Sequence, residues 1–171
     1  MPTLPELLDV LAGAPGPLRK LFVEIKTDPP DYRQSADPMR LLDAVLADLE
    51  AAGWRQHTKI IAFDWSLLRR LAQIAPQVAA AHLTVPAAMH GDIRRLQNGD
   101  SPWADGCDPM RFDGSEARAI NAHGGQEWSP HVSDVTPERV AEAKAEGLRV
   151  GVWGLSKAED IDRMAALGPT P

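Results

Sequence analysis

What most constrains the fold of this chain is a recurring alternation: short apolar runs separated by segments with helical spacing. Leu21–Ile25, Lys59–Phe63, Ala81–Val85 and Arg149–Trp153 read as strands, the third more weakly than the rest. Between them, Leu42, Val45, Leu46 and Leu49 mark one helical face, and Leu67, Leu68, Leu71 and Ile74 mark another. Strands that alternate with helices are joined by crossovers and therefore run parallel. The chain is expected to be α/β.

Local signals punctuate the pattern. Thr3-Leu4-Pro5-Glu6 has capping-box spacing ahead of Leu7, Leu8 and Leu11. Asp37-Pro38 is a cap followed by proline at the first helical position. Ser115 can cap a short helix through Ile120, Thr136-Pro137-Glu138 opens another, and Ser156-Lys157-Ala158-Glu159 reads as a second capping box. From Pro86 to Gly114 there is little periodicity, so a long loop with one helical turn is expected. With 171 residues, 44% hydrophobic and 25% charged, the chain is read as one domain, residues 1–171.

Composition excludes several function classes. The net charge is −6 with acidic and basic residues mixed, which offers no stripe for a phosphate backbone, so no nucleic-acid partner is expected. The apolar runs are too short for a membrane span, and no signal-type segment follows Met1; a cytoplasmic location is expected. The single cysteine, Cys107, cannot form an internal disulfide and is read as an ordinary thiol.

The run LFVEIK, residues 21–26, places charge where a buried strand should carry none. Alternation puts Glu24 and Lys26 on one face and Val23 and Ile25 on the other. Both charges lie at the C-terminal end of the strand, where parallel α/β folds gather their ligands. A carboxylate there can hold Mg²⁺ or Ca²⁺, and an ammonium can hold a phosphate oxygen. A salt-bridged pair at a solvated strand end is the alternative. Two neighbouring strands end in aromatic residues, Phe63-Asp64-Trp65 and Trp153. Charge and rings together suit a phosphate ester with an apolar or polyol part.

The ordered set PTLPELL, LFVEIK, IIAFDW, AHLTV, WSP and TPERVAEAKAEGLRVGVW, with a Ser-capped helix after it, resembles the glycerophosphodiester phosphodiesterase family from Pro2 to about Gly168. The resemblance implies a TIM-barrel hydrolase that uses a divalent cation, Mg²⁺ or Ca²⁺, to split glycerophosphodiesters into an alcohol and glycerol 3-phosphate. It implies Glu24 as a metal ligand, Lys26 as a phosphate contact, and Phe63 and Trp153 as substrate-binding residues. It would also bring Trp128-Ser129-Pro130 near the site. Ala62 stands where the family often has Ser, and Gly154-Leu155-Ser156 where Thr-Val-Asn is common.

The family's His-Arg-Gly, Glu-x-Asp and His-Asp strands have no counterpart here, nor does its closing strand. The expectation is a partial TIM barrel, the C-terminal portion, with the first strands and the closing strand missing. About four to five strands are visible where a barrel of ~250 residues has eight. Catalytic residues are therefore unassigned, metal binding is weakened by the missing ligands, and the chain alone is expected to be inactive. Unpaired strand edges would permit oligomerisation. The alternative is a non-catalytic α/β module binding an anionic metabolite or a protein partner. A product of an interrupted gene with no function of its own is the third reading.

The remaining candidates have plainer readings. His57, His82, His90, His123 and His131 show no HxxxH or HxH spacing and receive no catalytic role; His90, in the long loop, is the one to test. Trp103 and Trp128 are read as packing or pocket-lining groups, Asp64 as a helix cap or a functional carboxylate, and Ser156 as a cap.

Overall fold

Most of the helices begin where a side chain satisfies the first backbone donors. In the computed structural model, which describes residues 2–16, 20–29, 31, 37–86 and 101–168, Thr3 and Glu6 form the expected capping box at the start of α1, Leu4–Ala12. Asp37 accepts from Met39 and Arg40 N–H to open α2, Pro38–Ala51. Asp64 accepts from Ser66 N–H at 3.1 Å to open α3, Trp65–Ile74. Ser115 and Thr136 do the same for α4, Glu116–His123, and α5, Pro137–Ala145. The last helix, α6, Ala158–Leu167, departs from expectation: its N-cap is Lys157, with no side-chain cap, so Ser156 does not cap it.

Five strands form one sheet: β1 Leu21–Glu24, β2 Thr58–Ala62, β3 Ala79–Thr84, β4 Glu127–Pro130 and β5 Arg149–Val150. All neighbouring pairs are parallel, and the strand order is the chain order. Every crossover therefore steps to the next position in one direction. A doubly wound sheet reverses order near its middle; a barrel never does. The described residues thus form an arc of a (β/α) barrel. The strand read at Arg149–Trp153 pairs regularly only over Arg149–Val150, with an isolated bridge joining His131 and Trp153 further on. Of the loop expected over Pro86–Gly114, the described residues 101–114 contain two short 3-10 turns, Pro102–Ala104 and Pro109–Phe112. Among the described residues no helix is long and apolar enough to cross a membrane.

The strand faces divide the labour. Ile60 and Ala62 of β2, and Trp128 and Val150, belong to the core cluster with Leu42, Leu49, Leu67, Leu71 and Ile120 of the helices. Removing such fully buried aliphatic side chains from water stabilises by roughly 1.5–3 kcal/mol each. The opposite face carries Glu24, Lys59, Glu127 and Arg149 by alternation. Lys59 of β2 reaches Glu127 of β4 across the intervening strand, with Nζ 2.6 Å from each carboxylate oxygen. Ala81, beside Ile61 in the register, leaves room above β3 for that contact.

Candidate functional site

Glu24 and Lys26 do emerge on one face. Their ion pair is 2.5 Å long, with side-chain exposures of 28% and 77%, while Ile25 between them is buried. Ile25 N–H donates to Ile61 C=O at 3.2 Å, which carries the pairing with β2 one residue past β1. Thr27 Oγ1 then donates to Asp64 Oδ2 at 2.9 Å, tying the end of this strand to the cap of α3. Asp64 thus serves as a helix cap and as a clamp on the charged pair.

These residues border a cleft of about 350 Å³ at the C-terminal ends of the strands, with Phe63, Trp103 and Trp153 among its walls. Phe63 and Trp153 meet edge to face, with centroids 5.7 Å apart. Trp153 is held from behind as well: its indole N–H donates to Thr84 C=O at 3.1 Å, and its ring lies 4.6 Å from that of His131. Gly154 has φ +79°, and a Cβ there would stand 2.5 Å from the His131 ring, so only glycine allows this approach. Four sequence candidates, Glu24, Lys26, Phe63 and Trp153, are therefore brought to one cleft by three different βα units.

Other expectations fall elsewhere. Trp128 turns to the helix side, where its indole N–H donates to Thr84 Oγ1 and Glu116 Oε2, both at 3.0 Å, and the Arg139 guanidinium lies 5.0 Å from its ring. It does not line the cleft, because its strand position faces the helices. His90 lies outside the described residues. Cys107 is a free thiol, half-buried.

Sequence reasoning missed two histidines that the fold joins. His82 Nε2 lies 3.0 Å from His123 Nδ1, and His123 Nε2 lies 3.1 Å from Asp105 Oδ2, which Arg69 also grips. A carboxylate only accepts, so His123 carries its proton on Nε2 and His82 donates to it, leaving His82 Nδ1 buried without a partner. Burial first, and the neighbouring His123 second, push the His82 pKa down to about 3. Burial also lowers that of His123, against the opposing pull of Asp105. This chain of groups sits between the sheet and α3, away from the cleft, and 41 residues separate its histidines, so no local spacing could reveal it.

Glu24 offers a hard cation one carboxylate, already engaged by Lys26, and among the described residues no cluster of three His, Cys, Asp or Glu could hold a metal. The donors fit one ligand's share of a Mg²⁺ or Ca²⁺ shell, with substrate oxygens and water left to fill the rest.

The model of the glycerophosphoryl diester phosphodiesterase family matches residues 1–171. The chain belongs to that family. A solved structure from Silicibacter pomeroyi, named as a glycerophosphoryl diester phosphodiesterase, is 32% identical with a TM-score of 0.72, covering 98% of this chain and 50% of its own. A namesake from Agrobacterium tumefaciens is 19% identical with a TM-score of 0.73, over 98% of this chain and 57% of its own. An Oleispira antarctica phosphodiesterase, solved with the product sn-glycerol-3-phosphate, is 15% identical with a TM-score of 0.64, over 98% and 55%. At those last two identities the likeness is one of fold. The chain thus spans about half the length of these solved relatives, whose barrel it shares. No match was found among curated proteins.

Proposed function

We propose that this chain is the substrate-gripping portion of a metal-dependent glycerophosphodiester phosphodiesterase barrel. Its reaction class would be hydrolysis of a glycerophosphodiester to glycerol 3-phosphate and an alcohol: a water oxygen bonds to phosphorus, the alcohol oxygen leaves, and the water proton ends on the alcohol. The observation that carries the reading is the Glu24–Lys26 pair at a strand end, on the same rim as the Phe63–Trp153 edge-to-face pair.

Lys26 would hold a non-bridging phosphate oxygen as a point charge, and its high exposure leaves it free to reorient toward a ligand. Glu24 would hold the divalent cation; when bound, Mg²⁺ or Ca²⁺ supplies electrostatic stabilisation of the phosphoryl oxygens. Phe63 and Trp153 would pack against the carbon face of the glycerol moiety and exclude water from it. No histidine lines the cleft among the described residues; of its two carboxylates, Glu24 is paired with Lys26 and Asp64 is engaged by Thr27 and Ser66, which makes each a poor general base. The chain by itself would therefore bind without turning over. In this reading residues 1–171 act as one incomplete barrel domain.

Purified protein assayed with glycerophosphocholine and Mg²⁺ or Ca²⁺, alongside calorimetric titration with sn-glycerol 3-phosphate, tests both halves. Binding that Lys26→Met weakens, with no release of choline, is the expected result. Turnover that Glu24→Gln abolishes would overturn the inactivity, and absence of binding would overturn the site. A purely anion-binding module would bind glycerol 3-phosphate with no dependence on the cation.

A further inference from the structure

We propose that Asp105, His123 and His82 form a proton-sensitive latch on the connection between β3 and α4. At neutral pH the latch holds that connection in place; one added proton releases it, and with it the Trp103 wall of the cleft. The device works whatever the cleft binds.

Along this line the two imidazoles have three places for protons. His123 Nε2 faces Asp105 Oδ2 at 3.1 Å, and His123 Nδ1 faces His82 Nε2 at 3.0 Å. A neutral pair fills two of those places: one proton points at Asp105 and one is shared between the rings. A third must go to His82 Nδ1, at the inner end. Among the described residues that atom has no partner, and Gly125 stands against the same ring edge, since a Cβ there would come within 2.8 Å of Nδ1. His82 is 3% exposed. A third proton would therefore place charge and a buried N–H where nothing accepts it, which is costly. The latched state refuses that proton, and a state that admits water to the rings takes it.

The groups that face the pair are few. On the helix side of β3 its register neighbours, Ala62 of β2 and Trp128 of β4, do not titrate. From α3 come Trp65, packed edge-on to His82, and Arg69. The connection brings Asp105 and Cys107, both in contact with the Arg69 side chain. Burial first, then His123, hold the His82 pKa at about 3 against an ordinary 6.5, and burial leads in lowering that of His123 as well. Acid thus favours release. Every tenfold rise in proton concentration between those two values shifts the balance up to about tenfold toward the open connection.

The outer end of the line is the part that yields. His82 belongs to a strand paired on both sides, by β2 and β4, and cannot leave without breaking the sheet. Asp105 is only half-buried, and its φ of +48° lies in the left-handed region, which a residue other than glycine occupies at a cost. Its grip on Arg69 and His123 offsets that cost. A groove of about 320 Å³ between α3 and α4 already borders both imidazoles, so water has a short path once Asp105 lets go. Trp103 stands two residues before Asp105, on the turn Pro102–Ala104, and borders the cleft. Release at Asp105 therefore moves a wall of the cleft, although the histidines lie behind the sheet.

Amide hydrogen exchange of the full chain, at about pH 7.5 and about pH 5 and corrected for the intrinsic effect of pH, tests the latch. Opening of residues 101–108 should rise about 10- to 30-fold on acidification, while β2 and β3 stay protected. His82→Gln, which cannot take the third proton, should hold that rise to within about twofold, and His123→Gln replaces it if it does not fold. Asp105→Asn should leave the connection open at both pH values. The emission of Trp103, read as the difference between the parent chain and Trp103→Phe, should move to the red over the same range. Exchange that does not change with pH, a rise shared equally by β2, or a rise that survives in the histidine variant would overturn the proposal. So would a connection as closed in Asp105→Asn as in the parent chain, or Trp103 emission that stays fixed.

Discussion

Lys59 and Glu127, two strands apart, form a buried ion pair in which Nζ is 2.6 Å from both carboxylate oxygens. They are 4% and 3% exposed, and Arg149 Nε approaches the same carboxylate at 3.3 Å. Two cations thus share one anion on the concave side of the sheet. Glu127→Gln leaves both without a counter-charge, and breaking a buried pair costs about 3–5 kcal/mol. The urea midpoint should fall accordingly. Lys59→Met combined with Glu127→Met should recover much of the loss, and an unchanged midpoint in the single variant would contradict the burial.

Acid sensitivity follows from His82. Its folded-state pKa, about 3, lies below the ordinary 6.5, so the unfolded chain binds its proton first as pH falls. The stabilisation is complete above pH 6.5 and is lost progressively from there down to about pH 3. His82→Gln should flatten the dependence of the unfolding midpoint on pH across that window. A slope identical to that of the parent protein would assign the acid response to other groups.

Gly125 presses directly on the same histidine. A Cβ at this position would stand 2.5 Å from His82 Cε1 and 2.5 Å from Ile120 Cγ2, both in packed surroundings. Gly125→Ala should therefore destabilise by about 1–3 kcal/mol through overpacking. Thermal melting measures it, and pairing the change with Ile120→Val should return part of the loss.

Thr27 clamps the charged strand end to the α3 cap through a 2.9 Å bond to Asp64. Thr27→Val removes that bond while Asp64 Oδ1 still caps Ser66. Stability should drop by only about 0.5–1.5 kcal/mol. Affinity for sn-glycerol 3-phosphate should fall further than stability does, because Lys26 is the adjacent residue. Comparing calorimetric affinity with the urea midpoint separates the two effects.

Sequence pattern exposes β1 and β2 because each holds a short run of apolar residues, Leu21–Val23 and Ile60–Ala62, and it exposes α1 and α2 because their caps are local in sequence. It passes over β4, whose residues Glu127–Pro130 read as polar with a proline. That strand is recognisable only from its partners: Glu127 meets Lys59, and Trp128 meets Thr84. Spacing points to Ser156 as a cap where the structure uses Lys157, because spacing alone cannot tell which of two adjacent residues leaves helical geometry first. Glu24 and Lys26 are legible as a pair since strand alternation fixes their common face. The role of Asp64 as a clamp, and the coming together of His82, His123 and Asp105, depend on contacts over long sequence separations, which no local pattern encodes.

Sequential strand order has an outcome for how such a cleft can diversify. Each wall is delivered by its own βα unit, so the β3–α4 connection can be rewritten without touching the strand that holds Glu24 and Lys26. On the proposed reading, the grip on the phosphate can then persist while the rest of the wall drifts, one loop at a time, on a scaffold that stays the same.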